Sequence, residues 1–402
     1  MEMGVKDAYD DAISSGRYES VSGITGKYDN VRVLWEDEVT RALVRSCVQR
    51  LAQRKDKIRI MDMGCGYGDG YELLKGIREE DGVNCEYLIT DEGTEYKGFD
   101  INASFIKEAR GRYRGRENMS FEVANFSEGF PFKDDESYDI YFTSYGSLSH
   151  LGDEANAKLL ADIAEHSSNN GNKSVVVCDW LGKYSYEWQN LWEDKDDLNI
   201  GEEEEWIDYR ISYFGDKDVK SFPLRLMSKE EVEEVVKRAN EISSARIRIE
   251  GFVDRSIFVG RHMETGDYNR YCMPLRRMVN SLFEINVVTD LEQLLIRYHK
   301  KKGESFEWLN SFFEEFCMRW NGVISYTNEL LSGDSKGAEP LSEAEEKMCE
   351  IVDSNAWVEN SNPRANLIEP QLGHLLRELE MGLQEGIGAS HGFIAVLNVG
   401  QG

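Results

Sequence analysis

The sequence predicts an α/β protein with a doubly wound, mostly parallel sheet and a mainly α-helical C-terminal elaboration. Two patterns support this fold class. From Val31 to Gly260, short apolar runs alternate with segments of helical periodicity, which is typical of βαβ units. One apolar run, 58–63, ends in closely spaced glycines, as expected where a buried strand turns sharply into a helix. We therefore expect a ligand edge at the carboxyl ends of the strands.

The elements can be placed in chain order. A helix is expected over 31–54, with acidic residues near its start. The predicted strands that follow are 58–63, 96–101, 119–124, 138–143 and 173–180. The predicted helices between and after them are 71–79, 103–113, 154–167 and, from a capping box at Ser228, 229–239. The β-rich runs 246–250 and 256–260 suggest a hairpin.

After Gly260 the pattern becomes mainly helical. Helices are expected over 275–283, 291–298, 306–331, 342–352 and 366–383. The last apolar run, 393–399, is predicted to be a strand that could return to the sheet edge. We divide the chain into an N-terminal helical cap (1–55), a ligand-binding core (56–261) and a mainly helical C-terminal region (262–402).

The charge balance excludes several kinds of partner. Asp and Glu outnumber Lys and Arg by 75 to 47, which gives the 402-residue chain a formal charge of −28. Such a charge repels phosphate backbones and anionic lipid head groups, and no local basic run offsets it. We expect no nucleic-acid partner and no membrane partner. Because 41% of the residues are hydrophobic, the chain can bury a core.

The cysteines and the N-terminal segment indicate a cytoplasmic protein. Met1–Asp11 is acidic and polar, unlike a secretory leader. Seven cysteines are scattered without a CxxC spacing, which is typical of reduced thiols. The six histidines are dispersed, and none is paired at the spacing of helical metal ligands. No metal site is therefore expected.

The glycine turn is the strongest single feature of the sequence. It reads Asp62-Met-Gly64-Cys-Gly66-Tyr-Gly68. A dinucleotide fingerprint needs GxGxxG, but the third position is Asp69, whose charge would repel a pyrophosphate. An acid two residues before the first glycine instead suits a ligand with an amino group. The structural alternative is a tight strand-to-helix turn with no ligand.

This turn resembles the first motif of the class I S-adenosylmethionine-dependent methyltransferases, in which an acid and GxGxG follow the first strand. The matching residues are Asp62, Gly64, Gly66 and Gly68. The family's second anchor is an acid that ends the second strand and holds the ribose hydroxyls. Asp100, followed by Ile101, fits that place. Asp91 is a rival, but the helix that should follow the anchor begins only after Asp100.

Later segments extend the resemblance over residues 28–260. Asn125 and Phe126 stand where the family binds adenine, although an Asp is commoner than Asn125. Ser144 follows the fourth strand, and Tyr28 lies in an N-terminal segment of the kind that often covers the cofactor. The resemblance implies a seven-stranded Rossmann-like sheet and S-adenosyl-L-methionine as cofactor.

The residues that could act on an acceptor follow the fourth and fifth strands. His150 is the candidate general base, because imidazole titrates near neutral pH; the alternative is that it packs the next helix. Tyr145 could contact the methionine end of the cofactor or the substrate; the alternative is that it is a half-buried residue of the core. Trp180, Tyr184 and Trp188 belong to an aromatic segment that could cover an apolar or cationic substrate, or pack against the C-terminal helices.

Two basic side chains complete the predicted substrate site. Arg255 could bind a substrate carboxylate, and His262 lies close by in sequence. In so acidic a chain, the alternative for Arg255 is an ion pair with a local acid, Asp254 or Glu264. The acidic run 193–208 next to the aromatic segment is usually a solvated loop, and it is also a candidate flap over the site.

We expect the protein to be a cytoplasmic methyltransferase that acts on a small-molecule acceptor through O, N or C. The C-terminal helices could shape the pocket or form a homodimer. One alternative is a methyltransferase-like module that binds the cofactor and regulates or scaffolds a partner without turnover. An NAD-dependent dehydrogenase is disfavoured by the missing third glycine.

Overall fold

The computed structural model describes residues 28–80, 82, 84–168, 173–192, 206–215, 218–264, 266, 268–332 and 339–400, and for 206–222 it describes the backbone only. The proposed flap at 193–208 lies outside the described residues, apart from the backbone of 206–208.

A twisted sheet forms the centre of the protein. Its strands are β1 (Ile58–Met63), β2 (Thr94–Asp100), β3 (Met119–Val123), β4 (Ile140–Phe142), β5 (Ser174–Gly182), β6 (Trp206–Gly215), β7 (Asp218–Met227), β8 (Arg246–Arg255) and β9 (Gly392–Gly400). Seven of them lie in the order β3-β2-β1-β4-β5-β9-β8. Only β9 in this seven-stranded part runs antiparallel to its neighbours. The predicted doubly wound, mostly parallel seven-stranded sheet is therefore confirmed.

Helices cover both faces of the sheet. They are α1 (Asp37–Ala52), α2 (Asp69–Lys75), α3 (Ala103–Arg112), α4 (Asp153–Ser168), α5 (Lys229–Ile242), α6 (Leu275–Ser281), α7 (Glu307–Ser332), α8 (Glu343–Asn355) and α9 (Glu369–Leu383). One hydrophobic core joins α1, α2, α3 and the C-terminal helices to one sheet face, and α4 and α5 cover the other. None of the described helices combines the length and apolar character needed to cross a bilayer.

The last strand is not at the sheet edge. β9 lies between β5 and β8, where Leu397 is opposite both Val176 and Ile249. The chain therefore leaves the sheet after β8, and after residue 391 it re-enters the sheet as an internal strand, β9. The sheet thus draws strands from both sides of the predicted boundary at 262, and the domain division itself stays a prediction.

Two further local expectations were wrong, and one pair of strands was missed. The runs 246–250 and 256–260 do not form a hairpin, because the first belongs to β8 and the amides of Ser256 and Ile257 bind the carboxylate of Glu380. Over 291–298 only a short 3₁₀ turn forms, since the side chain of Asn321 binds both the amide and the carbonyl of Ile296. The antiparallel β6–β7 pair was not anticipated.

Glu380 makes the junction between β8 and α9 sensitive to pH. Its buried carboxylate also accepts a hydrogen bond from Trp35 Nε1 at 2.9 Å. Burial raises the pKa of Glu380 from 4.5 to about 7. A carboxyl whose pKa is higher in the folded state holds its proton longer than in the unfolded chain, so stability falls as pH rises through this window.

Between about pH 5 and pH 8.5, we expect the free energy of unfolding to fall more in the native protein than in a Glu380→Gln variant. The difference should reach at most about 3 kcal/mol, since one pKa unit corresponds to about 1.4 kcal/mol. Urea denaturation of both proteins at the two pH values measures it. If the free energy of unfolding fell equally in the two proteins between these pH values, Glu380 would not be the cause of the pH dependence.

Candidate active site

The glycine turn joins the ends of β1 and β2. Gly64, Gly66 and Gly68 have φ angles of 78°, 53° and 83°, which are left-handed and favour glycine. The amides of Gly64 and Cys65 both donate to the carbonyl of Phe99, at 2.8 and 3.0 Å. A Cβ on Gly64 would lie 2.9 Å from Ser147 Oγ, and one on Gly68 would lie 2.6 Å from Tyr113 Cε2. The turn therefore has no room for a side chain at Gly64 or Gly68.

Asp100 lies directly against this turn. Its carboxylate accepts hydrogen bonds from the amides of Gly66 at 3.1 Å and Asn102 at 2.8 Å. Asn102 in turn caps α3 through the amides of Ser104 and Phe105. These contacts fix the carboxylate of Asp100 at the mouth of the turn, with the half-buried Ile101 beside it. The structure thus brings the two predicted cofactor anchors together.

Asp62 occupies a different position. Its side chain is fully buried and accepts a hydrogen bond from the hydroxyl of Tyr96. A Cβ on Gly70, in the first turn of α2, would collide with this carboxylate. Burial, and after it the nearby charge of Asp62, raise the pKa of Tyr96 well above its usual value. Asp62 therefore supports the turn from beneath, and its contact with a ligand amino group stays a prediction.

The predicted adenine residues lie next to the glycine turn. Phe126 is half-buried, and one of its ring carbons would be 3.7 Å from a Cβ on Gly64. Asn125 Nδ2 donates to Ser127 Oγ at 2.8 Å, while its Oδ1 accepts from the Ser127 amide at 2.9 Å. This local turn holds the Asn125 amide in one orientation.

Tyr28 reaches the same turn from the N-terminal segment. Its hydroxyl donates to Asp69 Oδ1 at 3.1 Å, and Arg112 binds the same carboxylate at 2.8 Å. Tyr28 as a whole remains 44% exposed. Asp69, the residue that breaks the dinucleotide fingerprint, is therefore neutralised by Arg112 at the start of α2.

The loop after β4 is bound to the end of β5. The amides of Tyr145 and Gly146 donate to the two carboxylate oxygens of Asp179, at 2.8 and 3.1 Å. Tyr145 has a φ of 54°, which is unusual for a residue with a side chain. Ser144 precedes it, and its carbonyl accepts from Ser147 Oγ at 2.8 Å. These bonds hold the β4 loop at the end of β5, and a Cβ built on Gly64 of the glycine turn would lie 3.2 Å from Ser147 Cβ of this loop.

Tyr145 and Arg255 belong to one buried cluster. The Tyr145 hydroxyl donates to Asp37, and the guanidinium groups of Arg32 and Arg255 lie 3.6 and 4.4 Å from its ring centre. Arg255 pairs with Asp179 at 3.0 Å, not with the local acids predicted from the sequence. Its side chain is 2% exposed, so its predicted contact with substrate would require an opening of this cluster.

A second buried cluster ties the N-terminal segment to the C-terminal helices. Arg276 of α6 binds Asp29 through two hydrogen bonds of 2.6 and 2.7 Å, and it binds Glu36 at 2.8 Å. Despite their burial, the pKa values of both carboxyl groups are lowered because Arg276 stabilises their charged forms. The segment before α1 is thereby fastened over the ligand edge.

His150 ends a 3₁₀ turn after the β4 loop. It is half-buried, and removal of its ring from water lowers its pKa to about 4. The imidazole is therefore neutral at physiological pH, but it is a weaker base than an ordinary histidine. Its role as general base stays a prediction.

The aromatic segment after β5 packs mainly into the interior. Trp180 is fully buried and donates to Asn156 Oδ1 at 3.3 Å. Trp192 stacks on Phe313 of α7 with ring centres 5.6 Å apart. Tyr184 is half-buried and contacts the ring of Trp308 edge-on. These contacts fit the alternative that the segment packs against the C-terminal helices.

A histidine cluster at the same edge was not anticipated. His391 Nδ1 is 2.6 Å from Glu187 Oε1, and its ring lies 4.8 Å from that of His262. Trp188 contacts both imidazoles. Burial and the neighbouring His391 lower the pKa of His262 well below its usual value. His391 follows the glycine-rich run 386–388 just before β9, and this was the available sequence signal.

Comparison with known proteins agrees with this geometry. Residues 81–171 match a family model described as a methyltransferase domain. The matched segment begins after the glycine turn and includes Asp100, Asn125 and His150. No curated protein matches the chain.

Solved structures give only weak similarity. An S-adenosylmethionine-dependent methyltransferase from Clostridium acetobutylicum is 15% identical over 54% of this chain and 87% of its own, with a TM-score of 0.33. The magnesium protoporphyrin IX methyltransferase of Synechocystis, with bound S-adenosylmethionine, is 12% identical over 62% and 88%, with a TM-score of 0.33. Similarity at this level says nothing about which acceptor this chain would methylate.

The sheet, the glycine turn and the matched domain agree with one another. The sheet has the seven-stranded, mostly parallel form expected from the resemblance. Its first turn has no space for a Cβ at Gly64 or Gly68, and it is bonded to the acid that ends β2. With the methyltransferase domain match at 81–171, these features agree with the resemblance of the chain to the class I S-adenosylmethionine-dependent methyltransferases.

Proposed function

We propose that the protein transfers the methyl group of S-adenosylmethionine to a small-molecule acceptor bound beyond the ends of β4 and β5. The observation that supports this proposal is the cover over that edge. Arg276 fastens the segment 29–36 to the C-terminal helices, and Tyr145 binds Asp37 at the start of α1. An edge enclosed in this way suits a small acceptor better than a macromolecular one.

The residues at the glycine turn fit the cofactor. Asp100 would accept hydrogen bonds from the ribose hydroxyls, because its carboxylate is held at the turn by two amides. The left-handed φ angles of Gly64, Gly66 and Gly68 would let the main chain turn tightly beside the cofactor. Phe126 and Asn125 would meet the adenine ring and its amino group.

The bound cofactor supplies a methyl group already activated on a sulfonium centre. The protein then has two tasks: it aligns the nucleophile, and it accepts a proton where the nucleophile carries one. Alignment alone can lower the barrier by about 7–11 kcal/mol. We infer that the enclosed edge near Ser144 and Tyr145 provides this alignment.

A second candidate for the base is His391, beside the His150 predicted from the sequence. Glu187 binds Nδ1 of His391 and so fixes the ring orientation, which leaves Nε2 as the nitrogen that can take a proton. His150 has its pKa lowered to about 4 and would accept a proton poorly. The Glu187–His391 pair is therefore the stronger candidate for an acceptor that must lose a proton.

Exchange of His391 for glutamine is expected to lower kcat by about 10²-fold or more, the usual contribution of a positioned base. Affinity for S-adenosylmethionine should not change, because His391 lies on the acceptor side. Glu187→Gln should shift the pH profile of kcat in the same assay. His150→Gln is the matched comparison. If His391→Gln kept full turnover and His150→Gln lost it, His150 would be the base.

The acceptor class can be tested with purified protein and labelled S-adenosylmethionine. We expect S-adenosylhomocysteine to form with a dialysable metabolite extract and not with protein or RNA fractions. Methylation confined to a macromolecular fraction would contradict the small-molecule proposal. Cofactor binding without turnover in any fraction would favour the regulatory module. Binding of NADH in place of S-adenosylmethionine would favour a dehydrogenase.

A further inference from the structure

A basic groove lies at the edge of the sheet opposite the glycine turn. It has a volume of about 360 Å³ and is bordered by the C-terminal part of α1, the start of β5, the start of β8 and the end of β9. Its charged lining residues are five cations and one acid: Arg50, Arg54, Lys173, Arg246, Arg248 and Glu250. The sequence shows no basic run because these cations come from three distant segments.

The strand register explains how the cations meet. Arg246 is opposite Gly400 and Arg248 is opposite Asn398, and residues paired across strands share a face of the sheet. Lys173 lies on the other side of β9, with its Cγ 3.5 Å from a Cβ built on Gly400. Because Gly400 has no side chain, a gap opens between Arg246 and Lys173. The C-terminal part of α1 forms the wall of this gap.

Among the described residues, most of these cations have no acidic partner. Arg50 pairs with Glu250 at 2.7 Å. The described part of the chain provides no ion pair for Arg54, Lys173, Arg246 or Arg248. Over the whole chain acids exceed bases by 28, yet within the described residues none of the acids forms an ion pair with these four cations. Cations gathered in one groove repel one another, and a bound anion would offset this repulsion energy.

We propose that this groove binds a small polyanion of the phosphate or pyrophosphate type. Guanidinium groups bind such oxyanions through paired hydrogen bonds, and the volume falls in the range of small-ligand sites. A nucleic acid fits less well, because a long phosphate backbone would extend over the rest of a chain with a charge of −28. The groove is separate from the glycine turn, so it binds its anion without S-adenosylmethionine.

Titration calorimetry of the full chain with inorganic pyrophosphate, without cofactor, tests the proposal. We expect saturable binding at one site that weakens as sodium chloride is added. Substitution of both Arg246→Gln and Arg248→Gln should weaken it by at least about tenfold, or 1.4 kcal/mol. Arg319→Gln is the control, because Arg319 is an exposed arginine of α7, paired with Glu315 and outside the groove.

Three results would overturn the proposal. They are no saturable heat with pyrophosphate, equal affinity in the double variant, and tighter binding of a short RNA than of pyrophosphate through the same arginines. The last would assign the groove to nucleic acid. Circular dichroism shows whether the double variant is folded, and Lys173→Gln provides a second variant if it is not. Unchanged S-adenosylmethionine affinity in both variants would separate this test from that of the proposed function.

Discussion

Replacement of Asp100 by alanine is expected to weaken S-adenosylmethionine binding by about 100-fold or more. A carboxylate that accepts two ribose hydroxyls makes two charge-assisted hydrogen bonds, each worth about 1.5–3 kcal/mol. The change also removes the acceptor for the amides of Gly66 and Asn102, so the turn itself loses support. Calorimetric titration with the cofactor measures the loss.

Asp91 provides the matched control. It is the other acid that could have ended the second strand, but it lies near the surface, where it binds the Tyr71 hydroxyl and Arg116. Asp91→Ala should leave cofactor affinity within about twofold, a difference of 0.4 kcal/mol. If Asp100→Ala kept native affinity for S-adenosylmethionine and Asp91→Ala lost it, Asp91 would be the ribose anchor.

The substitution Arg276→Met should lower the free energy of unfolding by about 3–5 kcal/mol, which is typical when one partner of a buried ion pair is removed. Arg276 is 3% exposed and binds Asp29 and Glu36, both of which are also buried. Without the guanidinium, two carboxylates remain in the interior. The lowered pKa values of both acids mean that this stabilisation is present above about pH 4.5 and is lost as pH falls further.

Denaturant unfolding of the native protein and two variants checks this expectation. Arg319→Met removes an exposed arginine that pairs with Glu315 across one helical turn, and it should cost no more than about 0.5 kcal/mol. If Arg276→Met lowered the free energy of unfolding as little as the control does, water or a rearrangement would be stabilising the charges of Asp29 and Glu36 in place of Arg276. The cluster would then not fasten the cover over the ligand edge.

The cofactor side of the site was readable from sequence because its signals are local. Gly64, Gly66 and Gly68 are adjacent to a strand, and their conformation follows from chain geometry. Asp100 could be chosen over Asp91 because a helix begins directly after it. The order of strands and helices was similarly available from periodicity.

The acceptor side depends on contacts between distant segments, which periodicity does not encode. Arg255 pairs with Asp179 and not with its sequence neighbour Asp254, because Asp254 faces the amides of Ile387 and Gly388. Strand alternation directs successive side chains to opposite faces, so adjacent residues could not be expected to share a partner. The Glu187–His391 pair and the basic groove were missed for the same reason.

The position of β9 has a consequence for synthesis. While a nascent chain emerges from the ribosome, β5 and β8 are complete long before residues 392–400 exist. Until then each presents an open hydrogen-bonding edge, since β9 is the strand that lies between them. Open edges are sites of mispairing and aggregation. We expect chains that stall before residue 392 to need chaperone protection, and the contacts of Ser174 with Val399 to form late in folding.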